Sequence, residues 1–291
     1  MRIIECEKVT EAVARLCRES NICIGADIRS ALVKARDSEK SAAARSALDT
    51  LIKNAEVAQR ENLPACQDTG MAVVFVSLGA DVHVNGNISE AINEGVRRGY
   101  KDGFFRNSVV SDPVRRVNTA DNRAVGTSHP FNTPAVIHYD FDSTNPEQLR
   151  ITVAPKGFGS ENMSGLAMLK PSDGIEGVGD FAVETVRRAG ANPCPPVIVG
   201  IGVGGTMEKS AILAKRGLLR EVGSVNPDEF WAESERRILE RVNALGIGVS
   251  GYGGMTTALG VHILTYPTHI AGLPVAVNIG CHCTRHKEVV I

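Results

Sequence analysis

The chain has 291 residues and a formal net charge of −1, and 22% of its residues are charged. That balance excludes the one-signed surface that nucleic acid or another polyanion would need. Hydrophobic residues make up 43% and aromatics only 4%, which fits an Ala/Val/Gly-rich α/β enzyme better than a binding module. The apolar runs are strand-sized and broken by Gly or Pro, so no membrane span is expected. Glu5, Glu7 and Glu11 speak against a leader or transit segment, and a cytoplasmic protein is expected. Seven cysteines, an odd number, disfavour a disulfide framework and leave buried, reactive or metal-bound thiols.

Taken in order, the spacing predicts a helix over 10–19 capped by Thr10, with Cys17 on its apolar face beside Val13 and Leu16. Cys6 and Cys23 flank it, and all three thiols read as core or neutral positions. A longer helix is expected over 41–59, then a turn after Pro64, a strand over 71–78 and an amphipathic helix over 88–100. The stretch 103–133 lacks periodicity and is rich in Arg, Asn, Asp and Pro, so it reads as a functional loop. Strands over 135–141 and 149–154 are expected as a hairpin, followed by the turn Lys156-Gly157-Phe158-Gly159-Ser160-Glu161-Asn162 and a helical stretch near Leu166. A helix over 179–189, a buried strand over 195–203, and helices over 207–215 and 227–245 come next. Strand-like runs at 246–250, 260–266 and 273–279 close the chain. No repeat or linker is visible, so one α/β domain over 1–291, a mixed sheet with surrounding helices, is expected.

Three cysteines stand in special settings. Cys66 shares a tight turn with Asp68, Thr69 and Gly70; Cys194 is set between Pro193 and Pro195-Pro196 before a strand; Cys281 ends the last apolar run, beside His282 and Cys283. Prolines fix φ and remove backbone donors, which holds a thiol rigidly. Cys281-His282-Cys283 can bind zinc or copper, but zinc sites favour ligand pairs two to four residues apart, and no CxxC pair is present. Three separated thiols on fixed turns suit an iron–sulfur cluster that lacks one protein ligand, which leaves one iron open as a Lewis acid. Taken one at a time, each site has a plainer reading: an Asx turn for Asp68, a solvated arginine for Arg106, Arg115, Arg116 and Arg123, and a structural role for His83, His129, His138 and His262. Gly202-Val203-Gly204-Gly205-Thr206 lacks the Lys of a phosphate loop and reads as a tight turn supporting Cys194.

Ala65-Cys66-Gln67-Asp68-Thr69-Gly70, the Lys156–Asn162 turn, Pro193-Cys194-Pro195-Pro196, Pro267-Thr268-His269-Ile270-Ala271 and Asn278 to Cys281-His282 occur in an order that resembles the iron–sulfur hydro-lyases. These are the class I fumarases and the alpha subunit of two-subunit fumarate hydratase or L-tartrate dehydratase. The resemblance covers nearly the whole chain. Single-chain members carry a further C-terminal domain, so the match is to the alpha subunit of the split form. It implies a 4Fe–4S cluster held by Cys66, Cys194 and Cys281, with Cys283 a bystander. It also implies Asp68 and His269 at the active site, Arg106 on a substrate carboxylate, and Gly157 and Gly159 lining the pocket. Phe158 departs from the glycine expected at its position. The function so implied is hydration of a small dicarboxylate, fumarate to L-malate first and L-tartrate dehydration second. A beta subunit would supply the proton-abstracting base in a hetero-oligomer such as α2β2. A cluster-based redox sensor and a structural-zinc protein are the rival readings.

Overall fold

A computed structural model describes residues 1–116 and 131–291; Arg123 and His129 lie outside the described residues. The first elements are β1 (Arg2–Glu5), α1 (Cys6–Ile22), α2 (Ala26–Ser38), α3 (Ala42–Glu61), β2 (Met71–Gly79), β3 (Val82–Asn85) and α4 (Ile88–Asp102). Then come β4 (Val136–Asp142), β5 (Leu149–Lys156), α5 (Phe158–Glu161), β6 (Gly165–Leu169), α6 (Gly174–Ala189) and β7 (Val197–Gly204). The last are α7 (Met207–Gly217), α8 (Glu229–Asn243), β8 (Ala258–Tyr266), β9 (Leu273–Gly280) and β10 (Lys287–Val290). The class is mixed α/β, as expected. The described residues form two compact units: Met1–Ile24, Val57–Gly157 and Arg285–Ile291 make the first, and Gly25–Glu56 with Phe158–Thr284 the second. Each is assembled from separated segments, which is why the sequence shows no linker. Among the described residues no helix is long and apolar enough to cross a membrane.

In the first unit the sheet runs β10-β5-β2-β4, with β5 antiparallel to β2 and β10, and β4 parallel to β2. The expected β4–β5 hairpin is therefore corrected. β2 lies between those strands because Ala72 through Val76 are buried on both faces, and a strand apolar on both sides belongs in the middle. One face of the sheet, with Val74, Val76, Ile151 and Val153, packs against Val13 and Leu16 of α1 and Ile92, Val96 and Tyr100 of α4. The two helices approach at backbone distance. A Cβ on Gly95 would stand 2.7 Å from the Thr10 carbonyl oxygen, and one on Gly99 would stand 2.8 Å from that of Ala14. Asn87 caps α4 by accepting from the Ser89 and Glu90 amides.

The second unit holds a sheet ordered β6-β9-β7-β8, with β8 parallel and β9 antiparallel to β7. Val197, Val199, Ile201 and Val203 turn one face of β7 to Val178, Ala182 and Val186 of α6 and Ile238 and Val242 of α8. The other face carries Gly200 and Gly202, where a Cβ would stand 2.1 Å from the Ala214 oxygen and 2.0 Å from the Ser210 oxygen of α7. The glycines are thus a seat for α7. Gly204 and Gly205 lie at the far end of β7 from Cys194, so the expected supporting role for that turn is corrected.

Two further expectations change. The stretch near Leu166 is the edge strand β6, with Leu166 and Met168 exposed at period two rather than on a helical stripe. The run 246–250 is no strand, because Gly246, Gly248 and Ser250 all take positive φ there.

Candidate active site

The turn that carries Cys66 and Asp68 is held from several sides within the first unit. Tyr100 Oη donates to the carbonyl oxygens of Thr69 (2.8 Å) and Gly70 (3.1 Å). Asn132, fully buried at φ 65°, donates from Nδ2 to the Gly70 oxygen (2.8 Å) and accepts at Oδ1 from the Ser108 and Val109 amides. Arg285, 4% exposed, donates to the Asp68 carbonyl oxygen (2.7 Å) and to Asn21 Oδ1 (3.2 Å). Gly70 takes φ 74°, and a Cβ there would meet the Lys156 backbone at 2.8 Å. The turn is thereby fixed against the end of β5, and Cys66 projects from it half-buried.

Asp68 keeps one carboxylate oxygen for its own turn and turns the other toward Gly157. Its Oδ1 accepts from the Gly70 amide at 3.0 Å, which is the Asx turn. Its Oδ2 faces Gly157, where a Cβ would stand 3.1 Å away. The structure therefore brings Asp68 and Gly157 together, and only a glycine leaves that approach open. Arg106 joins them through its backbone: Thr69 Oγ1 donates to the Arg106 oxygen at 3.2 Å, and its side chain is exposed.

In the second unit Cys194 and Cys281 share one end of the sheet. Cys194 sits at φ 54° between buried Pro193 and Pro195, and its thiol-bearing residue is exposed. Gly280, which precedes Cys281, pairs with Ile198 at the start of β7. The adjoining His282 amide donates to the Cys194 carbonyl oxygen (3.4 Å), and His282 Nδ1 stands 2.9 Å from that oxygen. Cys281 is half-buried, whereas Cys283 is 2% exposed. Gly159 belongs to this end as well, since a Cβ on it would stand 3.7 Å from the Asn192 oxygen. Asn278 Nδ2 donates to Glu161 Oε2 (2.8 Å), and Lys215 pairs with Glu161 Oε1 (2.6 Å), so α5 and α7 are tied to the strand that delivers Cys281.

His269 is not brought to those thiols. It lies in the β8–β9 connection at the opposite end of the sheet, and the 8-residue β9 separates it from Cys281 by about 25 Å. There Thr268 Oγ1 donates to the Gly205 oxygen (2.8 Å), and His269 Nδ1 accepts from the Ala271 amide (3.2 Å), which places the neutral ring's proton on Nε2. Elsewhere, burial pushes the Cys17 thiol up to about 12, in keeping with a core position. His262 is buried with Nδ1 donating to the Gly217 oxygen, and burial holds its pKa below the usual value. His138 stacks on Phe75. Among the described residues no three His, Cys, Asp or Glu side chains converge as the ligands of a single ion would.

Sequence reasoning missed Tyr100, Asn132 and Arg285. Each acts through long-range bonds to backbone, and the one local signal is Asn132, an asparagine next to Thr133-Pro134 at the close of the long loop.

Each unit taken by itself is α/β and carries candidate residues on turns at strand ends: Cys66, Asp68 and the Arg106 backbone in the first, Cys194 and Cys281 in the second. Residues 10–290 match the family model described as fumarate hydratase (Fumerase), and the chain belongs to this hydro-lyase family. It is 41% identical over 280 residues to the putative L(+)-tartrate dehydratase subunit alpha of Methanocaldococcus jannaschii, covering 96% of this chain and 95% of that one. It is 31% identical over 284 residues to the L(+)-tartrate dehydratase subunit alpha of Escherichia coli strain K12, covering 98% and 91%. The Shigella boydii protein of the same description matches to the same extent.

Proposed function

We propose that this chain is the alpha subunit of a hydro-lyase that dehydrates a four-carbon hydroxy-dicarboxylate, L-tartrate first. The observation that carries the reading is the end-to-end similarity to relatives described as L(+)-tartrate dehydratase subunit alpha, 41% over 280 residues in the archaeal case. Fumarate hydration, the first expectation from sequence, becomes the second reading; the description of the matching family favours it.

Cys66, Cys194 and Cys281 are the proposed ligands of a 4Fe–4S cluster. Supporting this, each is exposed or half-buried on a turn fixed by backbone bonds; Cys17 and Cys283 are buried, and the half-buried Cys6 and Cys23 lie at the two ends of α1. Thiolates are the donors such a cluster takes, so the residues present fit it. When bound with three protein ligands, it supplies a Lewis-acidic iron.

The chain's own groups do the rest. The Arg106 guanidinium offers a two-pronged donor that matches a carboxylate in shape. Asp68 holds or accepts a proton at the substrate hydroxyl, and the Gly157 and Gly159 segments admit the substrate because no side chain blocks them. His269 is proposed to orient a substrate hydroxyl or carboxylate; its place at the far end of the sheet is the one feature that does not support that role beside Cys281. The reaction also needs a base to abstract the proton α to a carboxylate, and a beta subunit is proposed to bring it, in an assembly such as α2β2. A cytoplasmic location is part of the same reading.

The test is co-expression with the beta partner and anaerobic assay. A kcat/KM for L-tartrate at least tenfold above that for fumarate or L-malate supports the reading, and the reverse preference supports the second. Full turnover by this chain alone would refute the subunit assignment.

A further inference from the structure

We infer that His282 is a positioning residue: a clasp that sets the separation of the Cys194 and Cys281 thiols. The inference rests on the reading that both thiols are cluster ligands. Cys194 and His282 are 88 positions apart in the chain, yet the His282 ring and amide both meet the Cys194 carbonyl oxygen, at 2.9 Å from Nδ1 and 3.4 Å from N. A carbonyl oxygen only accepts, so Nδ1 carries the hydrogen, and the ring tautomer is set by the neighbouring turn.

The rest of the Cys194 turn is held by its own neighbours. Its amide donates to the Ala191 oxygen at 3.1 Å, and the Pro195 oxygen accepts from the Ser250 amide at 2.8 Å. Prolines on both sides supply no amide donor. The Cys281 turn is held in turn by Thr284, whose hydroxyl and amide both donate to the Cys281 oxygen, at 2.8 Å and 2.9 Å. These bonds shape each turn separately. The bond through His282 is different in kind, because it joins the end of β9 to the residue that bears the other thiol. A cluster needs its ligand thiols at one fixed spacing, and a polar contact from one ligand's neighbour onto the other ligand's carbonyl sets that spacing directly.

The experiment compares full-length wild type, His282→Ala, His282→Asn and Cys194→Ser. Each is reconstituted anaerobically with ferrous iron and sulfide, and iron and sulfide per chain, visible absorbance, lifetime of that absorbance in air and melting midpoint of the unloaded chain are measured. Asn presents an amide N–H near the place of Nδ1–H. The expected result is that His282→Ala loses the cluster absorbance about fivefold faster than wild type, the factor one net hydrogen bond is worth, while His282→Asn recovers most of the lifetime. The unloaded chains should melt within a few degrees of one another. Equal lifetimes in wild type and His282→Ala overturn the clasp while leaving the ligand assignment standing. So does a His282→Asn variant as short-lived as His282→Ala with an equally lowered melting midpoint, which would mark the residue as a packing group. Cluster uptake by Cys194→Ser equal to wild type overturns the ligand assignment, and the clasp with it.

Discussion

A methyl group on Gly157 would stand 3.1 Å from Asp68 Oδ2, inside the range where a neighbour has to give way. Gly157→Ala is therefore expected to push the carboxylate aside and lower kcat/KM at least tenfold, with a melting midpoint within a few degrees of wild type; steady-state kinetics beside a thermal melt would check this. Among the thiols, replacement of Cys66, Cys194 or Cys281 by Ser should abolish iron and sulfide binding, and Cys283→Ser should leave most of it. Metal analysis of the four anaerobic proteins decides, and loss of iron in Cys283→Ser with retention in Cys281→Ser would reverse the choice between them. Cys66, Asp68 and Gly157 were legible because each lies in a short motif whose chemistry is local. Tyr100, Asn132 and Arg285 were not, since a polar residue looks ordinary until the fold brings it to a distant carbonyl. The place of His269 was illegible for the same reason. Twelve positions before Cys281 reads as nearby, and a strand of eight residues turns that into the length of a sheet.

Helices and strands with strong periodicity were predicted to within a few residues, as for α3, α4, α7 and β9. Three failures share one cause: an element whose partner supplies its stability. β6 is held by β9, β10 by β5, and α2 by packing that a stripe of only Ile28, Leu32 and Ala35 foreshadows weakly. Pairing order was likewise beyond reach, since β4 and β5 are neighbours in sequence but each finds β2. The β7–α7 contact carries a sharp expectation. A Cβ on Gly202 would overlap the Ser210 oxygen, with 2.0 Å between them. Gly202→Ala should destabilise the protein by about 2–3 kcal/mol through forced separation of helix and strand, read as a lowered midpoint in chemical denaturation. In α4, the Arg97 hydrogen bond, aided by Arg98, holds the Glu94 carboxyl down to about 2. An unfolded glutamate titrates near 4.3, so the folded state keeps this carboxylate charged where the unfolded one does not. The stability it contributes, about 1–2 kcal/mol after allowance for its partial exposure, is present above about pH 4.3 and lost as pH falls toward 2. Glu94→Gln should remove that contribution at neutral pH and flatten the acid limb of a melting-midpoint profile between those values.

For the whole molecule, the iron that the proposed cluster would leave open to substrate would also be open to oxidants. Activity of the assembled enzyme should fall on exposure to air and return in part on adding ferrous iron with a thiol. Unchanged activity after prolonged aeration or chelation would count against the cluster reading. The α/β class and the family were legible across the full length, because the motifs recur in order from Cys66 to Cys281. The two units were not, because neither is a continuous stretch: the first closes only when β10 pairs with β5, Lys287 opposite Val153 and Val290 opposite Arg150. That pairing bears on synthesis. The first unit's sheet waits for residues made some 130 positions after β5, and α2 waits longer still, some 220 positions, for the strand β8 it packs on. Both units stay incomplete on the ribosome until residues 258–290 have been made, with the edge of β5 that β10 pairs with left open meanwhile. A nascent chain of this design should depend on chaperones until release, and slower production at low temperature should raise the yield of folded protein.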